Sequence, residues 1–157
     1  MEFKMVLFLP RDAVSVPVCR QVLDSCLATL GVTLDTRADI ALALSEACAN
    51  VIQHAGPGEE YEVRVITVNR QCTIEVVNTG SPDGLPGEEG PDGFALTTDP
   101  VPVTAEHGRG LKIIDAVVDN LQLSSNERKG TVVHFEKTLE WLPGAAGQLL
   151  FGADGGS

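Results

Sequence analysis

The chain has 157 residues, 43% of them hydrophobic, which suits one domain with a buried core and leaves little for a second. Its 22 acidic and 11 basic residues give a formal net charge of −11, which argues against direct nucleic-acid binding and favours a basic protein partner. No apolar run reaches the roughly 18 residues of a membrane span, and the N-terminus lacks the pattern of a signal peptide. We therefore expect a cytoplasmic protein that has no membrane contact.

The first part of the chain predicts a strand followed by two helices. Residues Phe3–Leu9 are apolar and end at a proline, as a strand would. Apolar residues then recur at helical spacing over residues 18–30. A second helix follows over residues 36–55, and either Asp35 or Thr36 can cap it.

The second helix carries a polar line through an otherwise apolar segment. Glu46, Asn50 and His54 are spaced by four residues and therefore fall near one face. On pattern alone, a solvent-facing stripe explains this spacing. Burying the carboxylate without a partner would cost several kcal/mol, so an inward orientation would need a functional reason. Motifs further along the chain favour such a reason.

Two strands and a long irregular segment follow. Residues Tyr61–Thr67 alternate in polarity, and residues Cys72–Asn78 form a second strand signal. The segment Thr79–His107 is rich in glycine and proline and holds carboxylates without any Lys or Arg. Such a segment cannot bury enough apolar surface to fold by itself, so it is either a functional lid or disordered.

Regular structure resumes at Gly108-Arg109-Gly110. A helix with one wide apolar face begins there, and two strands follow over Leu121–Ser125 and Thr131–Phe135. Residues 143–157 read as a flexible tail. The predicted fold is an α+β two-layer sandwich: a mixed, mostly antiparallel sheet of about five strands, with three helices on one face and the lid (about 79–107) before the third helix.

A Gly-x-Gly that opens a helix is a phosphate-binding arrangement, because backbone N–H groups approach closely and the helix N-terminus favours negative charge. Alone it is weak evidence. Here four signals follow in order: Glu46 with Asn50, then Asn78-Thr79-Gly80, Gly108-Arg109-Gly110 and Gly130-Thr131.

That order resembles the GHKL superfamily of ATP-binding domains (the Bergerat fold), and within it the anti-sigma factor serine kinases. Residues 41–55 are similar to the family's N-box, 76–84 and 106–114 to its two glycine motifs, and 130–135 to its last strand. The resemblance predicts one ATP-binding kinase domain over residues 1–142.

The resemblance implies the cofactors ATP and Mg²⁺ and a set of roles. Asn50 would ligate Mg²⁺, and Glu46 would orient or deprotonate the attacking serine hydroxyl of a partner protein. The remaining cofactor-binding positions are those of the two glycine motifs and the last strand: Asn78, Gly80, Gly108, Arg109, Gly110, Leu111 and Thr131. For His54 and His107 we expect structural roles.

The implied function is a protein serine kinase that sequesters a sigma factor, phosphorylates a STAS-domain anti-anti-sigma factor and forms a homodimer. One position departs from the family pattern: Asn78 stands where the family has the aspartate that binds the adenine amino group. A second hypothesis is therefore the same fold kept as a protein-interaction module with weak or no phosphoryl transfer. A third, a detached histidine-kinase ATPase domain, is disfavoured because no phosphoacceptor helix precedes the domain.

Overall fold

The computed structural model describes residues 2–54, 60–78, 99–100, 108–126 and 130–151. Four helices lie in these ranges: α1 (Ser15–Leu30), α2 (Leu34–His54), α3 (Gly108–Val117) and α4 (Ala146–Phe151). Of the helices in this part of the chain, not one combines the length and apolarity that a membrane crossing requires.

The six strands of the described chain form one sheet in the order β1-β2-β3-β6-β5-β4. Every described pair is antiparallel. Five strands are long, and the sixth has only two residues: β1 (Glu2–Pro10), β2 (Glu60–Val68), β3 (Gln71–Asn78), β5 (Asn120–Asn126), β6 (Gly130–Thr138) and the short β4 (Asp99–Pro100). The predicted α+β sandwich is confirmed.

The helices cover one face of the sheet, which we call the inner face. Strand residues alternate between the faces, and the inner positions of β2, β3 and β6 are fully buried, for example Val63, Ile74 and Phe135. Side chains of the helices complete the core over the inner face, among them Leu23, Leu27, Ile40, Leu44, Leu111 and Ile114. This layer holds α2 and α3 at fixed positions over the sheet.

The opposite, outer face carries a network of ionisable side chains that the sequence analysis did not predict. Glu62 and Arg64 form a buried ion pair on β2. His134 on β6 contacts Glu75 through Nδ1 at 2.9 Å and Glu136 through Nε2 at 3.0 Å. Both imidazole nitrogens thus face carboxylates, an arrangement that suits the protonated ring.

Three local features differ from the sequence expectations. Helix α2 begins at Leu34, and the Thr33 hydroxyl accepts a hydrogen bond from the Thr36 N–H at 3.4 Å, so Thr33 is the cap instead of Asp35 or Thr36. Within the predicted tail the chain forms α4, and the preceding Ala145 packs against Gly31 at the end of α1. The boundary of the tail at residue 143 stays a prediction. Within the predicted lid, β4 pairs with β5.

Candidate functional site

The polar pair is Glu46 and Asn50 of α2, and Glu46 lies on the side of α2 that meets α3. A Cβ atom added to Gly110 would lie 2.8 Å from Glu46 Oε1. A side-chain carbon at position 110 therefore fits only if the Glu46 carboxylate moves aside. The glutamate predicted from the sequence thus faces the first turn of the helix that the Gly-x-Gly motif opens.

Asn50 lies one turn further along α2 and is only 6% exposed. Its Nδ2 atom is buried and has no hydrogen-bond partner among the described residues. Most buried side-chain polar atoms in proteins are hydrogen-bonded, so an unpartnered one calls for an explanation. Because the nitrogen and oxygen of a carboxamide exchange by a simple flip, this position can present either atom to a ligand.

Helix α3 begins at Gly108, so the backbone N–H groups of residues 108–111 have no partner within the helix. Leu111 is fully buried and anchors this first turn in the core. The first turn therefore combines a buried anchor, backbone donors without a partner in the helix, and the positive end of the helix dipole. An anion is the ligand such a turn favours.

Asn78 and Thr131 lie at the same end of two neighbouring strands. Asn78 is the last residue of β3 and is buried, whereas Thr131 is the second residue of β6 and is half-buried. The antiparallel register ends with the pair Val77–Val132, which leaves Asn78 and Thr131 as next neighbours on the inner face. Asn78 is also paired with Tyr61 of β2.

A chain of buried polar groups joins α1, β2 and α2. Ser15 Oγ and the Tyr61 hydroxyl are 2.6 Å apart, Tyr61 hydrogen-bonds to Cys48, and Cys48 to Cys19. The hydrogen bond from Cys48 lowers the pKa of the Cys19 thiol. The same hydrogen bond and burial raise the pKa of Cys48, and burial raises that of Tyr61. These hydrogen bonds join α2 to α1 and β2 and so support α2 from below.

All four cysteines are free. Cys72 is buried, and burial raises the pKa of its thiol to about 11. This thiol is therefore protonated at neutral pH and plays no nucleophilic part.

Several predicted positions lie outside the described residues. These are Gly80, His107 and the lid (about 79–107) apart from Asp99–Pro100, together with the side chains of Arg109 and His54. Of the nine candidate site residues, the described part of the chain brings Glu46 and Gly110 into contact. It places Asn50 beside them on α2, Leu111 next in α3, and Asn78 with Thr131 at one sheet end.

Two contacts that hold α2 in place were not predicted from the sequence. Arg11 donates from Nη2 to the carbonyl oxygen of Ile52 at 2.8 Å, close to the end of α2. Lys137 donates to Asp39 near the start of α2. The one available signal for Lys137 was its position: it continues the inward-facing alternation of Val133 and Phe135 with a charged residue.

An antiparallel α+β sandwich in which a carboxylate lies against the first turn of a glycine-opened helix is suited to binding a nucleotide. The family profile of the histidine kinase-like ATPase domain matches residues 9–137, and the chain belongs to this family.

The curated relatives are serine-protein kinases named RsbW, and the chain is homologous to them. It is 26% identical over 129 residues to the protein from Bacillus cereus (strain AH820), with 79% of each chain covered. It is 25% identical over 126 residues to the protein from Bacillus mycoides (strain KBAB4), with the same coverage.

Among solved structures, the fold is similar to the RsbU and RsbW domains of Rv1364c from Mycobacterium tuberculosis. The TM-score is 0.61 at 16% sequence identity, with 87% of this chain covered. The chain spans 32% of that structure's length, so the likeness concerns the fold of one domain.

Proposed function

We propose that this chain is an ATP- and Mg²⁺-dependent protein serine kinase. The observation that supports the proposal most is the approach of Glu46 on α2 to Gly110 in the first turn of α3, with buried Asn50 one turn away. A carboxylate beside an anion-binding helix start suits phosphoryl transfer, in which a base must meet a hydroxyl next to the phosphates. The homologous serine-protein kinases support the same chemistry.

The residues present fit ATP and Mg²⁺. An unpartnered buried carboxamide costs about 1–3 kcal/mol, and a bound ligand that pairs with Asn50 would offset this cost. One protein ligand is enough, because Mg²⁺ completes its octahedron with water and phosphate oxygens. The backbone N–H groups of Gly108, Arg109, Gly110 and Leu111 would hold the phosphates.

In this proposal each part of the chain has one task. When bound, Mg²⁺ neutralises charge on the phosphates. Asn50 holds the metal, and the first turn of α3 orients the phosphates toward Glu46. Glu46 accepts the proton of the attacking serine hydroxyl, and Arg109 adds positive charge beside the phosphates. Asn78, Thr131 and Gly80 form the adenine end of the site.

Asn78 also supports the second candidate, an interaction module that binds partners with little phosphoryl transfer. Its carboxamide oxygen can accept a hydrogen bond from the adenine amino group, but without charge. The loss of charge assistance costs about 1 kcal/mol, roughly fivefold in affinity. The polar pair and Gly110 favour the kinase, because a protein-binding scaffold needs no carboxylate in contact with a helix start.

We further propose that the partners are a sigma factor, which the chain sequesters, and a STAS-domain anti-anti-sigma factor, which it phosphorylates. Binding to these two partners would locate the chain in the cytoplasm. The net charge of −11 suits a basic partner and disfavours direct contact with nucleic acid.

The proposed homodimer would form at the β1 edge of the sheet. Among the described strands β1 pairs only with β2, along all nine residues, and its outer face exposes Val6 and Phe8, the latter by 63%. Long apolar edges of this kind favour pairing with a further strand. Light scattering of Phe8→Glu should report a monomer, whereas Leu149→Glu, at an exposed site on α4, should keep the dimer. A monomeric wild type would exclude the dimer.

The kinase proposal is tested by two measurements on the full chain. A titration with ATP and Mg²⁺ should saturate below about 1 mM. Incubation with a STAS-domain partner and γ-labelled ATP should then label a serine of that partner. Glu46→Gln should abolish the labelling while keeping the ATP affinity within about threefold, since its amide fills the same space beside Gly110.

Asp35→Asn is the matched control, because it neutralises an exposed carboxylate in the first turn of the same helix. It should label the partner like the wild type. If ATP shows no saturable binding, the kinase proposal fails and the interaction module takes its place. If Glu46→Gln transfers phosphate at the wild-type rate, the role of Glu46 is wrong.

A further inference from the structure

The placement of α3 on α2 decides the geometry of the proposed nucleotide site, because one helix supplies the phosphate-binding backbone and the other supplies the polar pair. At the start of α3, Gly110 lies against Glu46. Leu111 at the end of the first turn and Ile114 in the next turn are fully buried in the core. The C-terminal end of α3 needs a separate contact to fix it relative to α2.

Lys137 makes the contact at the C-terminal end of α3. Its Nζ atom donates to Asp39 Oδ2 of α2 at 3.2 Å and to the carbonyl oxygen of Val117 at 2.8 Å. Val117 is the last residue of α3, where carbonyl groups lack helical partners and the helix dipole favours a cation. One ammonium group on β6 therefore joins α2 to the C-terminal end of α3.

The two contacts between the helices have matching spacing. Asp39 and Glu46 are seven residues apart on α2, and Val117 and Gly110 are seven residues apart on α3. Seven residues make almost two full turns, so each pair lies on one side of its helix at a separation of about 10.5 Å. The helices are thus held antiparallel at two points: the proposed catalytic contact and Lys137.

We propose that Lys137 is a positioning residue of the nucleotide site, an inference that rests on the proposed function. By tying the end of α3 to α2, it fixes the distance between Glu46 and the backbone of residues 108–110. Asp119, just after α3, makes further contacts: its carboxylate accepts from the backbone N–H and hydroxyl of Thr138, and its backbone N–H donates to the carbonyl oxygen of Glu136 at 2.9 Å. These contacts reach β6 and not α2, so they cannot replace Lys137.

The length of α3 allows the Lys137 contact at its C-terminal end to affect the position of its N-terminal end. Ten residues span about 15 Å, and the buried residues Leu111 and Ile114 lie between the two ends of the helix. Without Lys137, a shift of the C-terminal end would tilt the helix about these buried residues and displace residues 108–110 in the opposite direction. Displacements near 1 Å are enough to change the fit of a bound ligand.

The chain offers a closely matched control in Arg37. This side chain donates to Asp24 at 3.2 Å and to the carbonyl oxygen of Val32, and it joins α2 to α1 instead of α3. The two side chains of that pair are 20% and 41% exposed. For Lys137 and Asp39 the values are 18% and 40%. Removing either cation thus deletes a similar ion pair and carbonyl contact.

The test compares Lys137→Met, Lys137→Arg and Arg37→Met in the full chain. Lys137→Met should weaken the binding of ATP with Mg²⁺ on the order of fivefold. This value is at the lower end of the affinity changes by which two coupled sites in a protein affect each other. Lys137→Arg keeps both hydrogen bonds within reach and should stay within about twofold of wild type, as should Arg37→Met. Equal urea midpoints for the two Met variants would show that general stability does not explain the difference.

A second readout needs no nucleotide. Hydrogen exchange at the amides of residues 112–115 should be faster in Lys137→Met than in wild type, and unchanged in Arg37→Met. The inference is overturned if the two Met variants give the same ATP affinity and the same exchange rates. A wild type that fails to bind ATP would instead refute the proposed function, and the exchange rates would still decide whether Lys137 holds α3.

Discussion

Replacing Gly110 by alanine tests the contact between α2 and α3 with a single methyl group. The added carbon would lie 2.8 Å from Glu46 Oε1 and 3.8 Å from Glu46 Cβ. Ordinary contacts between carbon and oxygen begin at about 3.3–3.6 Å, so the carboxylate must move by about 0.5–0.8 Å. Glu46 is half-buried and its side chain can rotate, so this movement strains the backbone little.

The substitution should therefore separate stability from activity. The free energy of unfolding should change by less than about 1 kcal/mol, because the helix propensity of alanine offsets the displaced side chain. Phosphoryl transfer to the partner should fall by about 10–100-fold, since misplacement of a catalytic group by about 1 Å has effects of this size.

The assay is transfer of labelled γ-phosphate, run beside a urea unfolding curve. Ala116→Gly, at an exposed position of the same helix, is the control: it should lower stability by up to about 1 kcal/mol and leave transfer unchanged. Full transfer activity in Gly110→Ala would refute the role of Glu46 as the base. A loss of several kcal/mol of stability would show that the close approach serves packing.

Three further predictions follow from the described residues. Asn78→Asp should tighten ATP about fivefold in a binding titration, and an unchanged or weaker affinity would contradict the adenine role. Asn50→Ala should weaken ATP binding with Mg²⁺ by at least about tenfold but hardly change the urea midpoint; equal affinity would exclude the metal role. Burial disfavours the charged His134 ring, yet its hydrogen bonds to Glu75 and Glu136 outweigh this and raise its pKa. The stability from this network should therefore be complete below about pH 6.5 and decline as the pH rises through the raised pKa, a decline that His134→Gln should lack in urea curves measured across pH.

The parts of the fold that depend on local pattern were predictable from the sequence. The alternation in Tyr61–Thr67 predicted β2, the second strand signal over Cys72–Asn78 predicted β3, and the apolar spacing after Gly110 predicted α3. The inward orientation of Asn50 was predictable only by combining its spacing with the Gly-x-Gly motif. Spacing alone equally fits a solvent-facing stripe.

Features that depend on long-range contacts were not predictable. Thr33 caps α2 beside Glu140, whose carboxylate accepts a hydrogen bond from Thr36 at 3.2 Å across 104 residues of sequence. The network around His134 exists only because β3 and β6, far apart in sequence, are neighbours in the sheet. Lys137 shows the same limit: a lone lysine in a strand says nothing about which helices it joins.

The central claim is that phosphates bind between the polar pair of α2 and the first turn of α3, and amide chemical shifts during a titration with ATP and Mg²⁺ test it most directly. The account predicts saturable shifts that are largest at the backbone N–H groups of residues 108–111 and at the Asn50 side-chain amide. Shifts confined to other parts of the sheet, or none at all, would contradict it.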